Sequence, residues 1–420
     1  MAKSAGGTKG AWALLAVMGP GLLVMLADTD VGSLVTAAQS GAQWGYSLVG
    51  LQLALIPVLF VVQLLTSRLG SGTGKGHGAL ILEHFGRFWA WVSFAGLVVA
   101  GIGALMTEFS GLAGVGDLFG LSRWLSLGVP ALLLLVVVWT GSYRRVERIA
   151  IVVGLFELSF LYVAWRAHPG LADVASGMTH IPLAKAGFLT LVAANIGAVV
   201  MPWMIFYQQS ATADKGLRED DQPSALWDTL IGAVVSQVVM SAVLIATAAT
   251  IGHGAGTKNG GGGHASLNTV GDVANAFIPA LGPVAGKLVF AGGIVAAALV
   301  SAIVVSLALA WSFGDIMERK SSLEDSPRDA PAFYAAFTFA VVAGAVAVQF
   351  VDNLVALNIT VEVLNALLLP LALGLLVLLS ERALPERTRL RGWFRAVVYA
   401  VTALTLLAAT VGVLDSIGLI

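Results

Sequence analysis

Apolar stretches of the roughly 20 residues a helix needs to cross a bilayer recur from Ala11 to Ile420, with short polar joints between them. A backbone in hydrocarbon must satisfy its own hydrogen bonds, so such stretches fold as helices. The 420 residues are 58% hydrophobic and 11% charged, with mean hydropathy +0.88. That composition leaves no stretch for a soluble domain. The first apolar stretch follows Lys3 and Lys9, carries two carboxylates and has no small-residue cleavage site. It is read as a retained span rather than a signal peptide.

Eleven spans are expected, near 12–39, 46–67, 88–113, 123–140, 147–166, 186–211, 225–252, 284–313, 332–351, 354–380 and 393–417. With the N-terminus in the cytoplasm and the C-terminus outside, 18 of the 23 Lys and Arg residues fall on the inner side. An even span count would scramble that bias, so the positive-inside rule supports the set and a multi-pass cell-membrane location. The long outer joint from His253 to Pro283 holds a run of glycines too costly in entropy to order as a helix, and is expected to be mobile. All six histidines are placed in joints or at helix ends and cysteine is absent, which disfavours an imidazole site in the membrane and excludes thiolate chemistry.

Spans one and six are each interrupted near the middle. Span one carries Ala27-Asp28-Thr29-Asp30-Val31-Gly32-Ser33, and span six carries Gly197-Ala198-Val199-Val200-Met201-Pro202. Interruptions five helices apart are the mark of two inverted five-helix repeats with a binding site at the midplane. The chain then forms one transporter domain over 1–420, with repeat one at about 12–166, repeat two at about 186–380 and an extra helix at about 393–417.

A carboxylate at membrane depth costs at least about 2.5–3.5 kcal/mol unless compensated. Asp28 and Asp30 have no Lys or Arg deep in any expected span to pair with, so a bound cation or a proton is the natural partner. Asp30 and Ser33 are three residues apart and share a helical face. Unwinding at Gly32 and Pro202 would free backbone carbonyls, of which Ala27 and Ala198 are nominated. Glu362 is a third buried acid able to approach from span ten. Glu108 and Glu157 have similar standing, and one of them could relay protons. Met201 offers a thioether, a ligand for softer transition metals and a poor one for Mg²⁺ or Ca²⁺; its bland alternative is packing.

At these residues the sequence resembles the Nramp family of divalent metal transporters, in a divergent, Nramp-related bacterial form. The likeness is carried by Gly19-Pro20-Gly21, by Asp30-Val31-Gly32-Ser33 with Gly41-Ala42-Gln43-Trp44-Gly45-Tyr46, and by Val200-Met201-Pro202. The resemblance implies an all-α LeuT-type fold, alternating access, and a metal held by Asp30, Ser33, the carbonyls of Ala27 and Ala198, and Met201, with Glu362 approaching on occlusion. It also places Glu108 on a proton route, where Asp28 is a further candidate. The divalent ion is cargo, so no cofactor is expected, and the partners are the ion, the bilayer and, where transport is coupled, protons, with no nucleic acid.

Three positions depart from the family pattern. Ser33 replaces a metal-binding asparagine, Trp203 a histidine linked to proton movement, and Leu105 a second route acid. Proton coupling is therefore left open. Glu362 adds hard oxygen, which favours Mg²⁺, whereas Met201 favours Mn²⁺ or Fe²⁺; the retained sulfur tips the expectation to the latter pair. Two other readings compete. An organic-solute carrier of the same architecture would not cluster acids at an anion pocket. A membrane-embedded hydrolase would need a nucleophile and base, and two aspartates on one interrupted segment do not form a facing dyad.

Overall fold

The computed structural model describes residues 19–140, 142–251 and 267–419. Residues 12–18 of the first expected span and the glycine run of the long joint lie outside the described residues. Every regular element within them is helical.

Span one is two helices, α1 (Pro20–Asp28) and α2 (Val31–Trp44), bent by 46° at their junction. The next three spans are α3 (Val49–Thr73), α4 (His77–Leu118) and α5 (Arg123–Trp139). Span five starts as α6 (Tyr143–Gly154), tightens into a 3₁₀ turn at Leu155–Leu158 and resumes as α7 (Ser159–Arg166). After a short helix α8 (Leu171–Thr179), span six is α9 (Phe188–Val199) and α10 (Pro202–Asp214). There follow α11 (Gln222–Ile251), α12 (Val270–Leu281), α13 (Pro283–Ile316), α14 (Pro331–Val348), α15 (Leu354–Arg382) and α16 (Gly392–Ser416). Nine of the described spans are long and apolar enough to cross a bilayer, ten with the bent α1/α2 pair, and α5 is a further apolar helix of 17 residues. The broken span Phe188–Asp214 is the most enclosed, with 83% of its apolar stretch buried against 28% for Gly392–Ser416. The interrupted helix is thus central and the last one peripheral.

Two expectations are corrected. Span one does not unwind at Gly32, which is helical; the break falls at Thr29 and Asp30, because the Asp30 carboxylate caps the new helix by accepting from the Ser33 N–H at 2.7 Å. The joint before Pro283 contains a helix, α12, started by a reciprocal cap in which Thr269 and Asp272 accept from each other's backbone N–H. The helix of span three is kinked at Gly86, whose φ of 81° is non-helical, so a short helical segment at 77–85 precedes the span, which starts near 88 as expected. His77 and His84 lie at the two ends of that short segment, as expected, and His77 is fully buried, its Nδ1 2.7 Å from Gln209 Oε1.

Glycine and charge together fix the start of α1. Asp228 on α11 accepts from the backbone N–H groups of Gly19, Gly21 and Leu22 at 3.3, 2.9 and 3.1 Å. It thus satisfies donors that a helix N-terminus leaves free and complements the dipole. The half-buried pair Lys215–Glu147 (3.0 Å) lies against Gly19, where a Cβ would overlap Glu147 Oε1. Span one is therefore held at this end by α6, α10 and α11 at once.

Candidate cation site

The break in span one faces the break in span six. The Ser33 hydroxyl, in the first turn of α2, donates to the Ala198 carbonyl at 2.9 Å. Ala198 is in the last turn of α9, whose terminal carbonyls have no intrahelical donor. One short side chain thus ties the two interrupted helices together. Two residues expected on one ion are thus in direct contact with each other.

Glycine lets a third helix reach that junction. A Cβ at Gly32 would overlap Glu362 Oε1, and a Cβ at Gly197 would overlap the Glu362 carbonyl. α15 therefore packs against α2 and α9 at the two glycines beside the breaks, and Glu362 sits between them. Its Oε2 accepts from Asn365 Nδ2 at 3.0 Å, while Oε1 meets no donor among the described residues. Gly32 is thus a packing position for Glu362, which explains why it stays helical.

The remaining acids surround Asp30. Glu108 on α4 accepts from the Val31 N–H at 3.3 Å and lies within hydrogen-bonding reach of Asp30. Thr29, in the break itself, donates to both Glu157 Oε2 and the Leu26 carbonyl, so the 3₁₀ turn of span five delivers Glu157 to the interruption. Asp28 diverges. Its Oδ2 accepts from Ser236 and Gln237 on α11 rather than facing Ser33 or Glu362 with a hydrogen bond. Met201 is fully buried in the extended link before α10, with Pro202 opening the next helix; Ala27 is the penultimate residue of α1. Both stand at the level of the breaks.

Asp28, Asp30, Glu108, Glu157 and Glu362 are each at most 1% exposed. None takes part in the five ion pairs found among the described residues. Asp28, Asp30, Glu157 and Glu362 each keep one oxygen with no donor among the described residues. Bare carboxylate oxygens in a dry interior are strongly unfavourable unless a cation or protons neutralise them. Among the described residues no group of three His, Cys, Asp or Glu converges tightly enough to form a metal centre from side chains alone. The groups gathered at the breaks are of mixed type, carboxylates with a hydroxyl and backbone carbonyls.

The sequence reading missed Ser236, Gln237 and Asn365, the residues that hold the acids in place. Ser236-Gln237 is a polar pair within the apolar run of α11, and that was the signal available; Asn365, three residues after Glu362, is the i, i+3 neighbour on the same face.

A family model described as natural resistance-associated macrophage protein-like (Nramp) matches residues 21–415. The divalent metal cation transporter MntH of Erwinia tasmaniensis is 28% identical over 246 residues, which span 56% of this chain and 59% of that protein. A manganese transporter of Eremococcus coleocola, solved with an aromatic bis-isothiourea compound, superposes with TM-score 0.75 at 18% identity, covering 98% of this chain and 88% of that one. A Na⁺-coupled sialic acid symporter in its outward-open state gives TM-score 0.60 at 11% identity, covering 97% and 95%. At these identities the two structures establish the shared fold.

Proposed function

The chain belongs to the Nramp family, and on that footing we propose that it is a secondary transporter of divalent metal cations working by alternating access. The observation that carries this reading is the set of buried, uncompensated carboxylates at the facing breaks of spans one and six. A dication is the cargo such a cluster attracts, whereas an anionic organic solute would be repelled. The ligands are the Asp30 carboxylate, the Ser33 hydroxyl, the carbonyls of Ala27 and Ala198, the Met201 sulfur and the Glu362 carboxylate. When the ion binds, the Ser33 hydroxyl exchanges its bond to Ala198 for the ion, which frees that carbonyl as a ligand at the same time. The two broken helices would then be joined through the metal, a contact available only while cargo is present.

The family relationship and the organisation of spans support a five-plus-five division with an appended helix, repeat one at about 12–166 and repeat two at about 186–380. The charge bias places the arginine-rich end in the cytoplasm, with the N-terminus, and the C-terminus outside. Glu108, next to Asp30, and Asp28, held by Ser236 and Gln237, are the proton-route candidates.

Met201 favours Mn²⁺ or Fe²⁺. Mg²⁺ is the second reading, and Glu362 against Gly32 is the observation in its favour. Uptake of Mn²⁺ and Mg²⁺ into proteoliposomes, followed separately with a lumenal pH dye and a Met201→Ala variant, tests both. The proposal expects Mn²⁺ uptake to exceed Mg²⁺ uptake and to lose that lead in Met201→Ala. Equal uptake of both ions would assign selectivity to the oxygen ligands, and lumenal acidification would assign proton coupling to Glu108 or Asp28 despite Trp203.

A further inference from the structure

At the arginine-rich end, far from the acids, the C-terminal turns of α3, the start of α11, the joint after α15 and the start of α16 enclose a groove of ≈ 700 Å³. We propose that this groove binds the phosphate of an anionic membrane phospholipid, with its acyl chains on the adjoining apolar wall.

Arg68, Arg389 and Arg391 line the groove from segments more than 300 residues apart in sequence. The positive-inside rule asks only for basic residues somewhere in the joints; it does not bring them into one cleft. Arg387, also in the lining, is matched by Asp220 at 3.4 Å, and the remaining carboxylate of the lining is Glu219. Arg68, Arg389 and Arg391 take no part in the ion pairs found among the described residues. Set against Glu219 and Asp220, the four arginines of the lining leave a net charge of about +2 in one groove. The Arg68 guanidinium is held over the Phe394 ring at 4.7 Å, so its position is set by stacking rather than left to solvent. α16 starts beside them with no side-chain cap on its first turn, which leaves backbone N–H donors for an anion.

The apolar part of the groove decides between a lipid and a free anion. Phe60, Leu64 and Leu226 continue the lining down the faces of α3 and α11, and Trp393, 78% exposed, stands at the rim where tryptophan marks the headgroup level. A soluble phosphate has no use for such a wall, whereas a phospholipid fills both halves. Basic pockets between transmembrane helices at the level of the headgroups bind anionic lipid in this manner.

The test uses the purified full-length chain and native mass spectrometry of bound phosphatidylglycerol and phosphatidylcholine. Phosphatidylglycerol is expected to be retained in preference, and R389Q/R391Q to weaken its binding by about fivefold per arginine, roughly twenty-fivefold together. Both arginines are exposed, so the variant is expected to fold, as its unfolding temperature will report. The single variant R389Q, with about a fivefold loss, provides the second reading. An R123Q/K185Q control at the opposite end should leave the preference intact. No preference in the wild type, an unchanged preference in R389Q/R391Q, or an equal loss in the control would overturn the proposal. Displacement of the lipid by millimolar inorganic phosphate would overturn it too, in favour of a free-anion site.

Discussion

Replacing Glu362 by glutamine should move stability in opposite directions with and without metal. The side chain is fully buried, against Gly32, with one oxygen held by Asn365 at 3.0 Å and the other without a donor among the described residues. Glutamine is nearly isosteric and keeps an oxygen for Asn365, so packing and that hydrogen bond survive. What changes is the charge. A carboxylate at membrane depth costs about 2.5–3.5 kcal/mol on insertion scales, and an amide less. The metal-free variant should therefore be more stable than the parent by on the order of 2 kcal/mol, which for a chain of this size raises its unfolding temperature by roughly 2 °C. In the presence of Mn²⁺ the order should reverse, because a ligand that binds only the native state stabilises it by RT ln(1 + [L]/Kd), and loss of a charged ligand raises Kd. The assay is thermal unfolding in detergent across a Mn²⁺ titration at fixed pH. A variant that melts lower than the parent without metal and keeps the full metal-induced rise would refute the reasoning and leave Glu362 as a structural acid.

Two further outcomes follow from the same contacts. Thr29→Val removes the hydroxyl that donates to both Glu157 and the Leu26 carbonyl; stability should fall by about 1–3 kcal/mol with little change in Mn²⁺ affinity, and Thr29→Ser should restore it, as thermal unfolding of the three proteins will show. Asp228→Asn weakens the cap on the first turn of α1, and should cost about 1–2 kcal/mol and expose the segment around Gly21 to hydrogen exchange at the arginine-rich end.

The all-helical membrane fold and the two interruptions were legible because both are compositional. An apolar run of bilayer length and a Pro or Asp in its middle can be read without knowing what touches what. Asp30 and Ser33 stood out for the same reason, as polar positions in an apolar run, whereas Ala198 stood out only by its place just before Met201-Pro202. What the sequence withheld was tertiary. Gly32 reads as a helix breaker and is instead a contact point for a side chain 330 positions away. α12 hides in a joint dominated by glycine because its cap, Thr269 with Asp272, is only four residues long. His77 reads as a joint residue because its burial depends on Gln209 and Phe206, both on α10. The separation of Asp28 from Asp30 turns on a 46° bend that sends adjacent carboxylates to different helices.

The claim that the buried acids at the facing breaks exist to hold a dication is tested most directly by equilibrium binding of Mn²⁺ to the purified protein, parent against Asp30→Asn. One saturable Mn²⁺ per chain, weakened on the order of a hundredfold in Asp30→Asn with the fold intact, is the predicted result. Equal Mn²⁺ affinity in the two proteins would contradict the account, since Asp30 is the carboxylate around which the other four are gathered.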